Sequence, residues 1–110
     1  MMRIPLSPAA SGLLRALLGR CGVNRNRILL TEFRSVDWQS LTFVGERHQI
    51  RLRVPGPHAE AIADAMTVGL ADADFVIPGQ IVADIAVADR TSDTMDGSVV
   101  LEIEALTIAE

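Results

Sequence analysis

Few side chains in this chain have the chemistry for proton transfer, nucleophilic attack or metal binding: one cysteine, two histidines and the carboxylates. The densest grouping is Glu46-Arg47-His48, and His58 follows just after Pro55-Gly56-Pro57. A histidine beside a carboxylate suits acid–base work near neutral pH. Glu46, His48, His58 and, on a later helical stretch, Asp64 are therefore the acid–base candidates. No nucleophile motif accompanies them, so the competing reading is an ordinary solvated turn. Zinc needs about four ligands with local pairing of Cys or His. Cys21, His48 and His58 show no such spacing, and no metal is expected. The same three residues could pair a cysteine nucleophile with its base, but no flanking motif supports that. A buried, inert cysteine is far more common.

Asp89, Asp93 and Asp96-Gly97 have only a loose likeness to a calcium loop. The D-x-D-x-D-G run and its closing glutamate are missing, and a polar hairpin loop explains these residues. G-x-x-x-x-G-K-[ST], G-x-G-x-x-G and G-x-S-x-G are absent. Nucleotide binding and α/β-hydrolase chemistry have no support, and no cofactor is expected.

The charge layout is more informative than any motif. All ten basic residues are arginine. Nine of them, against three acids, lie between Met1 and Val54, giving +6; one arginine against eleven acids follows, giving −10 and the net −4. Arg20, Arg25, Arg27, Arg34, Arg47, Arg51 and Arg53 would bind phosphates if they formed one exposed patch. Against a nucleic-acid partner stand the acidic total, the absence of tyrosine and the scarcity of other aromatic residues for base stacking. The plainer reading is that the two halves compensate each other, within the chain or across a dimer.

The elements that must position these residues centre on Leu41 to Val54. Ile50, Leu52 and Val54 alternate with Gln49, Arg51 and Arg53, as in a half-buried strand with one apolar and one cationic face. Leu41 and Phe43 alternate upstream, and Gly45 to His48 reads as the turn of a hairpin. Before it, Ser7-Pro8 opens a helix with Ala10, Leu13, Leu14, Leu17 and Leu18 on one face, stopped at Gly19 or Gly22. Asn24-Arg25-Asn26 is polar loop, Arg27 to Val36 a strand, and Asp37 a turn residue. Trp38, the only tryptophan, reads as a core or interface anchor.

After Pro57, Ala59, Ile62, Ala63, Met66 and Leu70 share a helical face that Asp72-Ala73-Asp74 closes. Phe75 to Ile77 is a short strand, and Pro78-Gly79 a turn. Ile81 to Asp89 is a strand with Ile81, Ala83, Ile85 and Val87 on one face. A polar loop from Arg90 to Gly97 leads to the last strand, Ser98 to Ile108. There Val99, Leu101 and Ile103 point inward, and Glu102 and Glu104 outward toward Arg51 and Arg53, where opposite charges across strands stabilise a sheet. No internal repeat of useful length is evident.

The expectation is a single α+β domain over residues 1–110, with a short N-terminal segment at 1–6 and no separate linker. Its order is α-β-β-β-α-β-β-β: an antiparallel sheet of about five or six strands with two helices on one face. No apolar run reaches the ~18 residues of a membrane helix. Pro5, Pro8, Arg15 and Arg20 interrupt what would otherwise read as an export signal ending at Cys21. A lone cysteine agrees with a reducing cytoplasm. The expected function is a soluble, non-enzymatic interaction module acting as a homodimer, through Arg51, Arg53, Glu102, Glu104 and Trp38, with another protein as the alternative partner. The second reading is a small dimeric thioesterase- or isomerase-type enzyme, resembling hot-dog-like thioesterases in general shape only. The third is an arginine-mediated nucleic-acid binder.

Overall fold

The computed structural model describes residues 5–22 and 27–110. Residues 1–4 and the polar loop expected at Asn24-Arg25-Asn26 lie outside the described residues. Helix α1 (Pro8–Gly19) begins where Ser7 caps it, its side chain accepting the Ala10 N–H at 3.1 Å. It ends at Arg20, whose guanidinium donates to the Met66 carbonyl at 2.9 Å and to that of Val68. Those carbonyls belong to the C-terminal end of α2 (Ala59–Thr67), so one arginine ties the two helix ends together. Between the helices run β1 (Leu29–Gln39) and β2 (Val44–Val54); after them come β3 (Gln80–Ser92) and β4 (Val99–Ala109).

The fold is α+β. Among the described residues the strands form one four-stranded antiparallel sheet in the order β1-β2-β4-β3. This is fewer than the five or six strands expected, and the order is α-β-β-α-β-β. Two local causes account for the strand count, and a third irregularity changes the faces. Leu41 to Val54 holds one strand, β2 from Val44 onward, rather than a hairpin: the turn falls at Ser40–Phe43, closed by the Ser40 N–H donating to the Phe43 carbonyl at 2.9 Å. Gly45, which the sequence offers as the turn residue, sits inside β2, and Asp37 inside β1 opposite Glu46. Second, Ile77 makes only a single bridge with Gln80 around the Pro78-Gly79 turn, not a strand. Third, bulges in β3 at Val82/Asp84 and Val87/Asp89 reset which side chains share a face. Val82, Ile85 and Val87 lie on the helix side, and Ile81 on the opposite face with Asp84 and Ala86, which corrects the regular alternation expected. Helix α2 also ends earlier than expected, at Thr67. Gly69 then takes φ +62, and a single 3-10 turn, Leu70–Asp72, buries Leu70.

Both helices lie on one face of the sheet. Leu13 and Leu17 of α1 and Ile62, Ala63 and Met66 of α2 pack against Ile50, Leu52, Leu101 and Ile103. Across the β2–β4 seam Ile50 opposes Ile103, Leu52 opposes Leu101 and Val54 opposes Val99. These fully or almost fully buried pairs are the core.

The element order is also symmetric, in contrast to the absence of a sequence repeat. α1-β1-β2 and α2-β3-β4 are two copies of one plan, joined by the antiparallel β2–β4 pairing, with β1 and β3 as equivalent edges. The buried positions correspond: Leu13 with Ile62, Leu17 with Met66, Cys21 with Leu70 and Ile28 with Ile77. The bulge after Leu30 in β1 corresponds to the bulge after Val82 in β3.

At Gly45 the two central strands come so close that a Cβ would stand 1.9 Å from the Thr107 carbonyl oxygen. Gly45→Ala must therefore push β2 and β4 apart locally. A loss of about 1–3 kcal/mol, the range for overpacking, is expected in urea denaturation; an unchanged midpoint would show that the seam is looser than described.

Candidate functional site

The acid–base candidates separate into one pair and two isolated residues. Glu46 and His48 stand two apart on β2 and so share the helix side of the sheet. The register sets Ser35 of β1 opposite His48, and Ala105 of β4 on its other side. His48 is 1% exposed. Its Nδ1 lies 2.8 Å from Ser35 Oγ, its Nε2 2.8 Å from Thr107 Oγ1, and its ring meets Phe33 edge-on at 5.8 Å. Glu46 accepts a hydrogen bond from Ser7 Oγ at 2.9 Å, which ties the cap of α1 to the sheet. An open hollow of about 490 Å³ beside the β1 edge is lined by Ser7, Phe33, Ser35 and Glu46. His58 is elsewhere, exposed at the start of α2 with φ 70. Asp64 faces solvent and pairs with Arg90 at 2.8 Å, and Arg90 also holds Glu60 at 3.0 Å.

Counting donors decides what the Ser35–His48–Thr107 chain can do. Burial lowers the His48 pKa, opposed by the nearby charge of Glu46, so the ring is neutral at pH 7 and carries one N–H. Thr107 is fully buried, and among the described residues its hydroxyl makes no other hydrogen bond. Its hydrogen therefore goes to Nε2, which leaves the ring proton on Nδ1, donated to Ser35. A base that activates Ser35 would need Nδ1 free. In this pattern the chain is a satisfied structural relay, with Ser35 at its exposed end. The internal duplication shows how local it is. Ser35, His48, Glu46 and Thr107 occupy positions where the equivalent residues are Val87, Ile103, Leu101 and Leu52. One end of the core is polar, and its symmetric counterpart is apolar.

Among the described residues, the opposite face of the sheet carries no helix. Its side chains form rows across the four strands in the order β1, β2, β4, β3. At one end is Trp38, Gly45, Ile108 and Ile81; next come Val36, Arg47, Leu106 and Asp84; then Arg34, Gln49, Glu104 and Ala86; then Glu32, Arg51, Glu102 and Asp89. Arg51 bonds Glu102 directly across the seam, and Glu102 raises the Arg51 pKa. Both side chains are well exposed, so the pair adds little stability. Arg53 pairs with Asp96 in the β3–β4 loop, not with Glu104, which stands opposite Gln49. Two properties emerge. One end is apolar, with Val36 57% and Ile81 50% exposed. The β1–β2 half carries Arg34, Arg47 and Arg51 with a single acid, Glu32, and the β4–β3 half carries Asp84, Asp89, Glu102 and Glu104. Much of the charge split of the sequence is thus displayed side by side on one surface, and among the described residues the arginines of this face do not form an uninterrupted basic patch.

The Asp93–Gly97 segment is a hairpin loop: Asp93 Oδ1 accepts the Met95 N–H and Asp96 Oδ1 the Ser98 N–H, at 2.8 and 2.9 Å. Among the described residues no three metal-ligating side chains come together, and no helix is long and apolar enough to cross a membrane. Ser7, Ser35 and Thr107 were not legible as partners of Glu46 and His48, because only the register brings them together. Leu106 and Ile108 were legible: the alternation that turns Glu102 and Glu104 outward continues to them. Compared with known proteins, the chain matches no family model, no curated protein and no solved structure.

Because burial depresses the His48 pKa, the unfolded chain takes up this proton first. The stability that neutral His48 contributes is complete above the ordinary imidazole value near 6.5 and declines as pH falls toward the depressed folded value. The urea midpoint is expected to drop between pH 7 and pH 5, and to drop less in His48→Gln. Equal slopes in the two proteins would remove His48 as the titrating group.

Proposed function

We propose that this protein is a non-enzymatic association domain whose bare sheet face binds a second copy of the chain. The observation that carries this reading is the uncovered face itself. A sheet packed on one side hides its apolar residues there and shows polar ones to water. Here the row Trp38, Ile108 and Ile81, with Val36 and Leu106 beside it, keeps apolar side chains on the solvent side. Contiguous exposed apolar surface rimmed by charge marks an interaction site, and tryptophan is enriched at such sites. The edges are less suited to pairing. β1 carries one bulge and β3 two, which disrupt the ladder an added strand would extend.

The area fits. With strands about 4.8 Å apart and a rise of about 3.3 Å per residue, four strands along the β2–β4 ladder cover roughly 600 Å² in projection. Pleating and long side chains raise the accessible value toward the roughly 800 Å² per partner of a standard interface. The lone Cys21 is buried and has no partner for an internal disulfide, which suits a reducing cytoplasm.

Ile108→Asp places a charge in the apolar row without touching the helix-side core. Sedimentation at micromolar concentration is expected to give a dimer mass for the natural protein and a monomer mass for the variant, with the same far-UV circular dichroism. A natural protein that is monomeric up to high micromolar concentration would contradict the reading.

A further inference from the structure

We infer that the two copies stack their outer faces about a two-fold axis that runs parallel to the strands, between β2 and β4. This rests on the self-association proposed above and adds the arrangement of the partner. Two faces related by an axis lying between them exchange left and right across that axis, while positions along it stay level. A strand-parallel axis therefore sets the β1–β2 half of one copy on the β4–β3 half of the other, and each row on itself. Arg34 and Arg47 then face the half carrying Asp84 and Glu104, twice over, and Trp38 faces Ile81; the one acid of the arginine half, Glu32, meets Asp89 at the open, solvated end of the face. An axis running across the strands does the reverse. It lays the arginine half on the arginine half, the acid half on the acid half, and the apolar row on the opposite, charged end. Like charges held together in this way weaken association and opposite charges steer it.

The same surface explains why a homodimer and not a longer assembly results. The interface is isologous: each half finds its complement in the other copy, and both are used up in one pairing. Packed sheets stay about 10 Å apart with strands within about 30° of each other. At that distance long arginine and glutamate side chains meet between the sheets, while the Trp38 row closes one end against water.

Cross-linking reads the axis directly. In a Cys21→Ser background, which keeps a donor for the Leu18 carbonyl that Cys21 now contacts at 3.1 Å, single cysteines replace Val36, Asp84 or Arg34 on the edge strands. Pairs of variants are mixed, equilibrated and treated with a short bismaleimide, and the products are weighed by mass spectrometry. The expected result is a severalfold excess of the Val36→Cys/Asp84→Cys product over Val36→Cys linked to itself and over Val36→Cys/Arg34→Cys. A dimer mass with Val36→Cys/Arg34→Cys or self-linked Val36→Cys as the main product would overturn the strand-parallel axis and leave self-association standing. A monomer mass throughout, with no cross-link above background, would overturn both.

Discussion

The seam between β2 and β4 joins the two α-β-β units, and its register decides what every other element meets. Ile50 against Ile103 and Leu52 against Leu101 give the helices a continuous apolar floor. The same register brings His48 level with Ala105 and Thr107 within reach of its ring, and it sets Arg51 against Glu102 on the far side. Gly45 shows how tightly the seam is drawn, since its missing side chain is the condition for close approach to Thr107. A shift by one residue would turn the core residues outward and the charges inward.

The two units share a plan and differ in what they do with it. In the β3–β4 unit, Leu101 and Ile103 are buried in the core and Val87 stands at its margin. In the β1–β2 unit, the equivalent positions hold Ser35, Glu46 and His48: Ser35 and His48 form a polar relay with Thr107, and Glu46 separately bonds Ser7 at the cap of α1. A buried polar chain stabilises less than well-packed apolar side chains unless every member is satisfied. Here His48 is satisfied at both nitrogens, and the relay ties β1 to the seam, as Glu46 ties the cap of α1 to β2. It makes the fold sensitive to acid without supplying a free base.

The helices and the last strand could be read from the chain because local signals agreed: Ser7-Pro8 at a helix start, spaced leucines, and clean alternation through Val99 to Glu104. The hairpin was misplaced for a physical reason. Gly45, Glu46 and His48 have the composition of a turn, and only the polar relay and the narrow seam explain such residues inside a strand. The turn that does occur, Ser40 to Phe43, is unusually apolar, with Leu41 and Phe43 exposed. The faces of β3 were misassigned because bulges leave no mark in a single sequence. The duplication was hidden for a related reason. Equivalent residues drift further apart along the chain, from Leu13 and Ile62 in the helices to Leu52 and Thr107 in the strands. Of the surface, Arg51 and Glu102 were legible as outward-facing residues. The rows that combine them exist only once the strand order is known.

That surface carries the central claim, and Trp38 reports on it because it is the only tryptophan in the chain and lies in the apolar row. The most direct measurement is therefore its fluorescence emission through a dilution series from high micromolar to nanomolar, at fixed salt and pH. A stacked pair of sheets shields Trp38 when concentrated and exposes it on dilution. The emission maximum should shift to longer wavelength along a sigmoidal curve, and the shift should be absent in Ile108→Asp, which should emit at the long-wavelength limit throughout. An emission maximum that is the same at every concentration and in both proteins would mean that the face stays open to water, and the association reading would fall.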